Sequence, residues 1–221
     1  MLYDLLALLF RPVAWWGRLR VEGLEEVPAT GPLLVVPNHD SQWDPIVVGL
    51  AIKPRRRLRF LARASLWRIP GLGSLLGALG QIPIERGAGD VGALERAVDA
   101  LASGEAICIF PEGGLSWGER LRARSGVGRL AQWCPDAQVV LCTVEGATDY
   151  MRFPRRPRLR VAFLRPVAVE PRPGEEASAL STRLLDEIRD RVEPSPAGRR
   201  ALVGGPPRVR KRRANPRASR S

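Results

Sequence analysis

At 221 residues and 45% hydrophobic content, the chain is long enough to bury one substantial core and short enough to favour a single domain. A chain disordered throughout is excluded. Its net charge of +12 is unevenly spread: the stretch from Pro194 to Ser221 carries nine of the 35 basic residues and no acid, leaving only +3 for the rest. That stretch is also rich in Pro, Gly, Ser and Ala, so it buries too little apolar surface to offset the entropy of ordering and is expected to be a disordered basic tail. The cysteines Cys108, Cys134 and Cys142 have an odd count and no metal-ligand spacing, which points to a reducing compartment and to no metal site.

The N-terminal stretch from Met1 to Trp16 is apolar but interrupted by Asp4 and Arg11. It falls short of the roughly 20 apolar residues that span a bilayer, and it lacks the basic leader and small-residue cleavage site of a secretion signal. Leu2, Leu5, Leu6, Leu9, Val13 and Trp16 recur at helical spacing beside Arg18 and Arg20. This predicts an amphipathic helix, with two readings: one lying in a membrane interface, or one packed on the protein's own core.

Strands and helices then alternate. Leu33 to Val36 predicts a strand ending at Pro37, after which Asp44 and Pro45 supply an N-cap and a first-turn proline for a helix through Ile52. Further strands are expected at Leu58 to Ala62, Gly80 to Ile84, Ala106 to Phe110, Val139 to Val144 and Arg158 to Leu164. Helices are expected at Gly71 to Leu79, Val91 to Ala102, Arg124 to Trp133 and Ser178 to Val192. The ordering predicts an α/β domain with a mostly parallel or mixed central sheet flanked by helices. Ligands of such sheets gather at the carboxyl ends of the strands.

Two loops fall at those ends. The first holds the chain's one histidine, in Asn38-His39-Asp40-Ser41-Gln42-Trp43-Asp44. Neutral imidazole accepts a proton near pH 7, and a nearby carboxylate can hold its tautomer and stabilise the imidazolium. Asp44 is the candidate orienter, because the immediate neighbour Asp40 would point elsewhere. The plain readings are a structural histidine and a helix-capping aspartate. The second loop, Phe110-Pro111-Glu112-Gly113-Gly114-Leu115-Ser116, combines a carboxylate, flexible backbone and a hydroxyl after a buried strand. Its plain reading is an ordinary turn with a solvated acid. Arg86 follows a strand where its planar fork suits a phosphate, against the reading of a surface arginine. The cluster Lys53, Arg55, Arg56, Arg57 and Arg59 reads either as a solvated loop or as a contact for anionic head groups or for the phosphates of a thioester donor.

Taken in order, these segments resemble the glycerolipid acyltransferase family that includes 1-acylglycerol-3-phosphate acyltransferases. Its Asn-His-x-Ser-x-x-Asp block is matched by Asn38, His39, Ser41 and Asp44. Its Gly-x-Ile-x-Ile/Val-Asp-Arg segment is matched from Gly80 to Arg86, with Glu85 for the usual aspartate. Its Phe-Pro-Glu-Gly-Thr-Arg-Ser block is matched from Phe110 to Ser116, with Gly114 and Leu115 for Thr-Arg. A weaker apolar block resembles Val139 to Gly146, with Leu141 at the proline position, so the likeness spans about Val21 to Val167.

The resemblance implies transfer of an acyl group from acyl-CoA or acyl-carrier protein to a hydroxyl of lysophosphatidate or a related glycerolipid. His39 is then the general base and Asp44 its orienter, with Arg86, Glu112, Gly113, Ser116 and Arg124 around the acceptor. No cofactor is implied beyond the acyl donor itself. Leucine at position 115 cannot bind the acceptor phosphate as the family's arginine does, so Arg120, Arg122 and Arg124 are the candidates to compensate, unless the acceptor lacks a glycerol-phosphate head group. The implied organisation is a membrane-associating helix over residues 1–17, an acyltransferase domain over 18–193 and the basic tail over 194–221. The expected location is the cytoplasmic face of a membrane, peripheral or monotopic and in contact with anionic lipids. The rival readings are a catalytically silent lipid-binding relative and a basic nucleic-acid-binding protein. No helix-turn-helix, zinc-finger or aromatic RNA-binding pattern accompanies the basic tail, so no nucleic-acid partner is expected.

Overall fold

Alternate residues of one central strand face two different cores. The computed structural model describes residues 2–85, 90–116, 119–152 and 156–192. In chain order its elements are α1 (Leu2–Leu9), α2 (Arg11–Trp16), β1 (Arg20–Glu22), β2 (Leu33–Pro37), α3 (Asp44–Ile52), β3 (Arg59–Arg63), α4 (Leu72–Ala78) and β4 (Ile82–Ile84). These are followed by α5 (Val91–Ala102), β5 (Ala106–Cys108), α6 (Gly126–Trp133), β6 (Gln138–Glu145), β7 (Arg160–Leu164) and α7 (Ala177–Arg189). The strands form a seven-stranded sheet of order β1-β7-β6-β2-β5-β3-β4, in which only the β6–β7 pair is antiparallel. The expected α/β domain, with a mostly parallel sheet between helices, is the fold observed.

Strand β2 is buried along its whole length, as a central parallel strand must be. Leu33 and Val35 join Val47, Val48 and Ile52 of α3 on one face, together with Val140, Val161 and Phe163. Leu34 and Val36 join Leu94, Leu101, Leu130, Leu180, Leu184 and Ile188 on the other, beneath α5, α6 and α7. Each such fully buried side chain contributes about 1.5–3 kcal/mol relative to exposure. Helix α7 closes on α6 at Gly128, where a Cβ would lie 1.9 Å from the Ala177 carbonyl oxygen. The Gly128 amide also donates to Ser181 Oγ at 2.8 Å.

The β2 and β5 strands are adjacent and parallel, so their carboxyl ends bring the His39 loop and the Phe110–Ser116 loop side by side. Several elements differ from the sequence reading. The β5 ladder stops at Cys108 rather than Phe110, because the Phe110 carbonyl accepts from Gly113 N and turns the chain. The short exposed strand β1 has no apolar alternation to announce it. The first 17 residues hold two short helices instead of one, with the break at Phe10 and Pro12 in the first turn of α2, where its missing N–H is harmless. Neither helix contains a buried residue. The expected basic tail over 194–221 lies outside the described residues.

Candidate active site

Strand β2 ends in a local substitution of side chain for backbone. Asn38, fully buried, donates from Nδ2 to the Val144 carbonyl at 2.9 Å and accepts the Val144 amide on Oδ1 at 2.7 Å. The side-chain amide thus continues the pairing with β6 while the main chain turns away, which leaves His39 on the loop between strand and helix. The imidazole stacks on Phe110, with ring centroids 4.1 Å apart at 27°. Phe60 of β3 stacks in turn on Phe110 at 6.4 Å.

His39 Nδ1 lies 3.0 Å from Asp44 Oδ2, the two side chains being 12% and 1% exposed. The same oxygen accepts the amides of Asp40 at 2.7 Å and Ser41 at 2.8 Å. Asp44 is the first residue of α3, whose N-cap position is held by Trp43, so its carboxylate serves the loop and does not cap the helix as its sequence position suggested. An oxygen already taking two N–H groups can only accept from the ring, so the imidazole proton sits on Nδ1 and Nε2 carries the lone pair. Nε2 has no partner among the described residues. Burial pushes the Asp44 carboxyl up, opposed by the hydrogen bonds from His39 and Ser41, and its Oδ1 is buried without a partner among the described residues.

The second loop grips the first. Glu112 Oε1 accepts the His39 amide at 3.3 Å, and the Ser116 amide donates to the His39 carbonyl at 2.8 Å. Gly113 adopts φ +63°, with Arg124 so close that a Cβ would meet its Cγ at 2.9 Å. The Arg124 amide bonds the Pro111 carbonyl at 2.7 Å while its side chain is exposed. Ser41 Oγ donates to the Ala147 carbonyl at 3.1 Å and accepts the Trp43 amide at 3.2 Å.

Behind both loops lies a charge cluster that sequence reasoning missed. Arg189, at the end of α7, is 6% exposed in its side chain and pairs with Asp40 and Glu112. Ser116 Oγ donates to Asp40 and accepts from Arg189 Nη2, the latter at 2.8 Å. Burial acts to raise the Asp40 carboxyl, but the hydrogen bonds and charge of Arg189, with Ser116 and Asn38, hold it below the ordinary range. For Glu112, burial prevails over Arg189 and the carboxyl is raised. The signal available in the sequence was positional: Ser181, Leu185 and Arg189 recur every fourth residue, and all three are on the buried face of α7.

His39, Asp44, Glu112, Gly113, Ser116 and Arg124 are therefore brought together, whereas Arg86 lies outside the described residues. Leu115 is half-buried on the second loop. Arg120 is engaged by Asp190 of the C-terminal segment. The basic cluster at 53–59 is largely consumed by the protein itself. Arg55 donates to the Val27 carbonyl, Arg56 to those of Pro28, Gly31 and Gly104, Arg57 pairs with Asp4, and Arg59 with Glu105. Lys53, Arg55 and Arg57 stay exposed to solvent, as a solvated run would be, while Arg55 and Arg56 also supply donors that loop carbonyls need.

The chain has relatives among known proteins. Residues 18–145 match the family described as Acyltransferase. A lyso-ornithine lipid O-acyltransferase of Pseudomonas aeruginosa is 35% identical over 130 residues, 56% of this chain and 49% of that protein. A chloroplastic 1-acyl-sn-glycerol-3-phosphate acyltransferase of Arabidopsis thaliana is 25% identical over 180 residues, 80% of this chain and 49% of its own length. The chain thus spans about half the length of these curated relatives. The fold is shared with the crystal structure of the 1-acyl-sn-glycerophosphate acyltransferase PlsC from Thermotoga maritima, at a TM-score of 0.61 and 20% identity over 89% of this chain and 80% of that one. The family match takes in β2 through β6 and both loops of the site, and on that match the chain belongs to the acyltransferase family.

Proposed function

We propose that this protein transfers a fatty acyl group from acyl-CoA or acyl-carrier protein to a hydroxyl of lysophosphatidate or a related lysoglycerolipid. The observation that carries the reading is the orientation of His39, whose Nδ1 is committed to Asp44 while Nε2 faces no protein partner among the described residues. His39 Nε2 takes the proton of the acceptor hydroxyl, and that oxygen forms its bond to the thioester carbonyl carbon. Collapse of the tetrahedral intermediate breaks the carbon–sulfur bond, and the departing thiolate receives the proton from the imidazolium. Asp44 holds the tautomer and stabilises the transient charge. Glu112 and Gly113 shape the acceptor site, and Ser116 organises its loop. Arg86 and Arg124 are the residues proposed for an acceptor phosphate.

Attachment to the lipid surface is assigned to α1 and α2. Leu5, Leu8, Leu9 and Trp15 are each more than half exposed there, and Arg156 lies over the Trp15 and Trp16 rings at 5.0 Å. No helix among the described residues is long and apolar enough to cross a membrane. Apolar side chains flanked by arginines suit an interfacial position, which supports a peripheral or monotopic enzyme at a membrane surface.

Leu115 favours a second reading of the acceptor. It stands on the site loop where a phosphate-binding arginine was expected, and Arg120 is engaged elsewhere. An acceptor without a glycerol-phosphate head group fits that substitution, and the Pseudomonas relative is named for such a lipid. The test incubates the purified protein and His39→Ala with radiolabelled acyl-CoA, or acyl-carrier protein, and a panel of lysophosphatidate, lyso-ornithine lipid and glycerol phosphate. Product made by the wild type and absent with the variant supports the reading and names the acceptor. A folded wild type that acylates none of them refutes it.

A further inference from the structure

The chemistry proposed for His39 needs the imidazole held still, and the ring's own bond to Asp44 leaves the main chain of the loop to be secured by other means. Both main-chain polar groups of His39 are secured by the second loop: its N–H donates to Glu112 Oε1 and its carbonyl accepts from the Ser116 amide. The side chains of those two residues, and of Asp40 next to His39, converge on one guanidinium. Arg189 Nη1 donates to Asp40 Oδ2 at 3.0 Å, and Nη2 donates to Asp40 Oδ1 at 2.8 Å, to Ser116 Oγ at 2.8 Å and to Glu112 Oε1.

We propose that Arg189 is a positioning residue that clamps the His39 loop to the Glu112 loop and so aims the imidazole. This rests on the reading of His39 as the general base. The clamp needs the planar fork of arginine, since a single ammonium cannot meet both oxygens of Asp40 in parallel while also reaching Glu112 and Ser116. It also needs α7 to be fixed, and the close approach at Gly128 with the bond to Ser181 provides that. The neighbouring acids of α7 and of its C-cap are engaged elsewhere: Asp186 and Asp190 meet Arg120, and Glu187 meets Arg191. Asp40 and Glu112 are thus the carboxylates that face the guanidinium. A helix beyond the matched family segment thereby becomes part of the site's framework, 149 residues along the chain from Asp40.

Two variants of the full chain test this. Arg189→Met removes the charge and leaves two buried carboxylates without a counter-ion, which endangers folding. Arg189→Lys keeps the charge and loses the fork. Each is measured for kcat and KM with acyl-CoA and the acceptor identified by the panel, and by the imidazole nitrogen spectrum, in which the single histidine gives one unambiguous set of signals. The expected result for folded Arg189→Lys is a fall in kcat of about tenfold or more with KM within about threefold, accompanied by a changed or broadened His39 signal. Folded Arg189→Met should lose more.

Wild-type kcat with unchanged imidazole signals in Arg189→Lys overturns the proposal. So does a loss of activity that only tracks the folded fraction while the signals of the folded protein stay the same. If the wild type acylates no acceptor, the functional reading falls by itself. The spectrum then still decides whether Arg189 positions His39: altered signals support the clamp and unaltered signals overturn it.

Discussion

Replacing Asp44 with asparagine separates the charge of this residue from its geometry. Asp44 Oδ2 receives three hydrogen bonds, from Asp40 N, Ser41 N and His39 Nδ1, at 2.7, 2.8 and 3.0 Å. The asparagine oxygen can take the same place, because the amide nitrogen there would face two N–H groups. Loop shape and the Nδ1–H tautomer therefore survive, and what is lost is the attraction between carboxylate and imidazolium. Unit charges about 4 Å apart at an effective dielectric of about 20 interact by about 4 kcal/mol. Allowing up to half of that for relaxation, kcat should fall by roughly 30- to 900-fold, with KM little changed. Stability should move the other way. Burial raises the Asp44 carboxyl, so an ionised Asp44 costs stability once the pH has risen through its folded pKa, and the neutral amide removes that cost. Steady-state kinetics with the identified acceptor, paired with urea denaturation at neutral pH, tests both halves. A variant that loses less than threefold in kcat while His39→Ala is inactive would refute the role given to the charge.

Asp40 reverses the sign: its carboxyl is held low, so it contributes stability above its unfolded pKa of about 3.9 and loses it as pH falls through the lower folded value. The stability difference between wild type and Asp40→Asn, measured by denaturant titration, should shrink on acidification, and a difference constant with pH contradicts the Arg189 pairing. Gly113→Ala forces a side chain into φ +63° and against Arg124 Cγ; a loss of about 1–2 kcal/mol is expected from the backbone alone, and undiminished thermal stability would show that the turn tolerates a Cβ. Arg56→Ala should cost about 1–3 kcal/mol through the carbonyls of Pro28, Gly31 and Gly104. Its binding to vesicles of anionic lipid should match the wild type, and a loss of vesicle binding without a loss of stability would return Arg56 to the lipid surface.

Local patterning determined a good deal by itself. The apolar run at Leu33 to Val36, bounded by turn residues, reads as a buried strand, and helix α5 was legible to its ends from its apolar periodicity alone. The pairing of His39 with Asp44 was also within reach, since a five-residue separation around one turn leaves few ways for the two side chains to lie. Tertiary structure alone decided the rest. The arginines at 55, 56 and 59 carry the same charge whether they face lipid or cap loop carbonyls, and only docking of distant loops assigns them. The break between α1 and α2 falls at Phe10, just before Pro12, although the apolar helical spacing runs on across it. Arg189 reaches Asp40 across 149 residues because α7 packs on α6 at a glycine, and no short-range spacing encodes a contact that exists only once two helices have met.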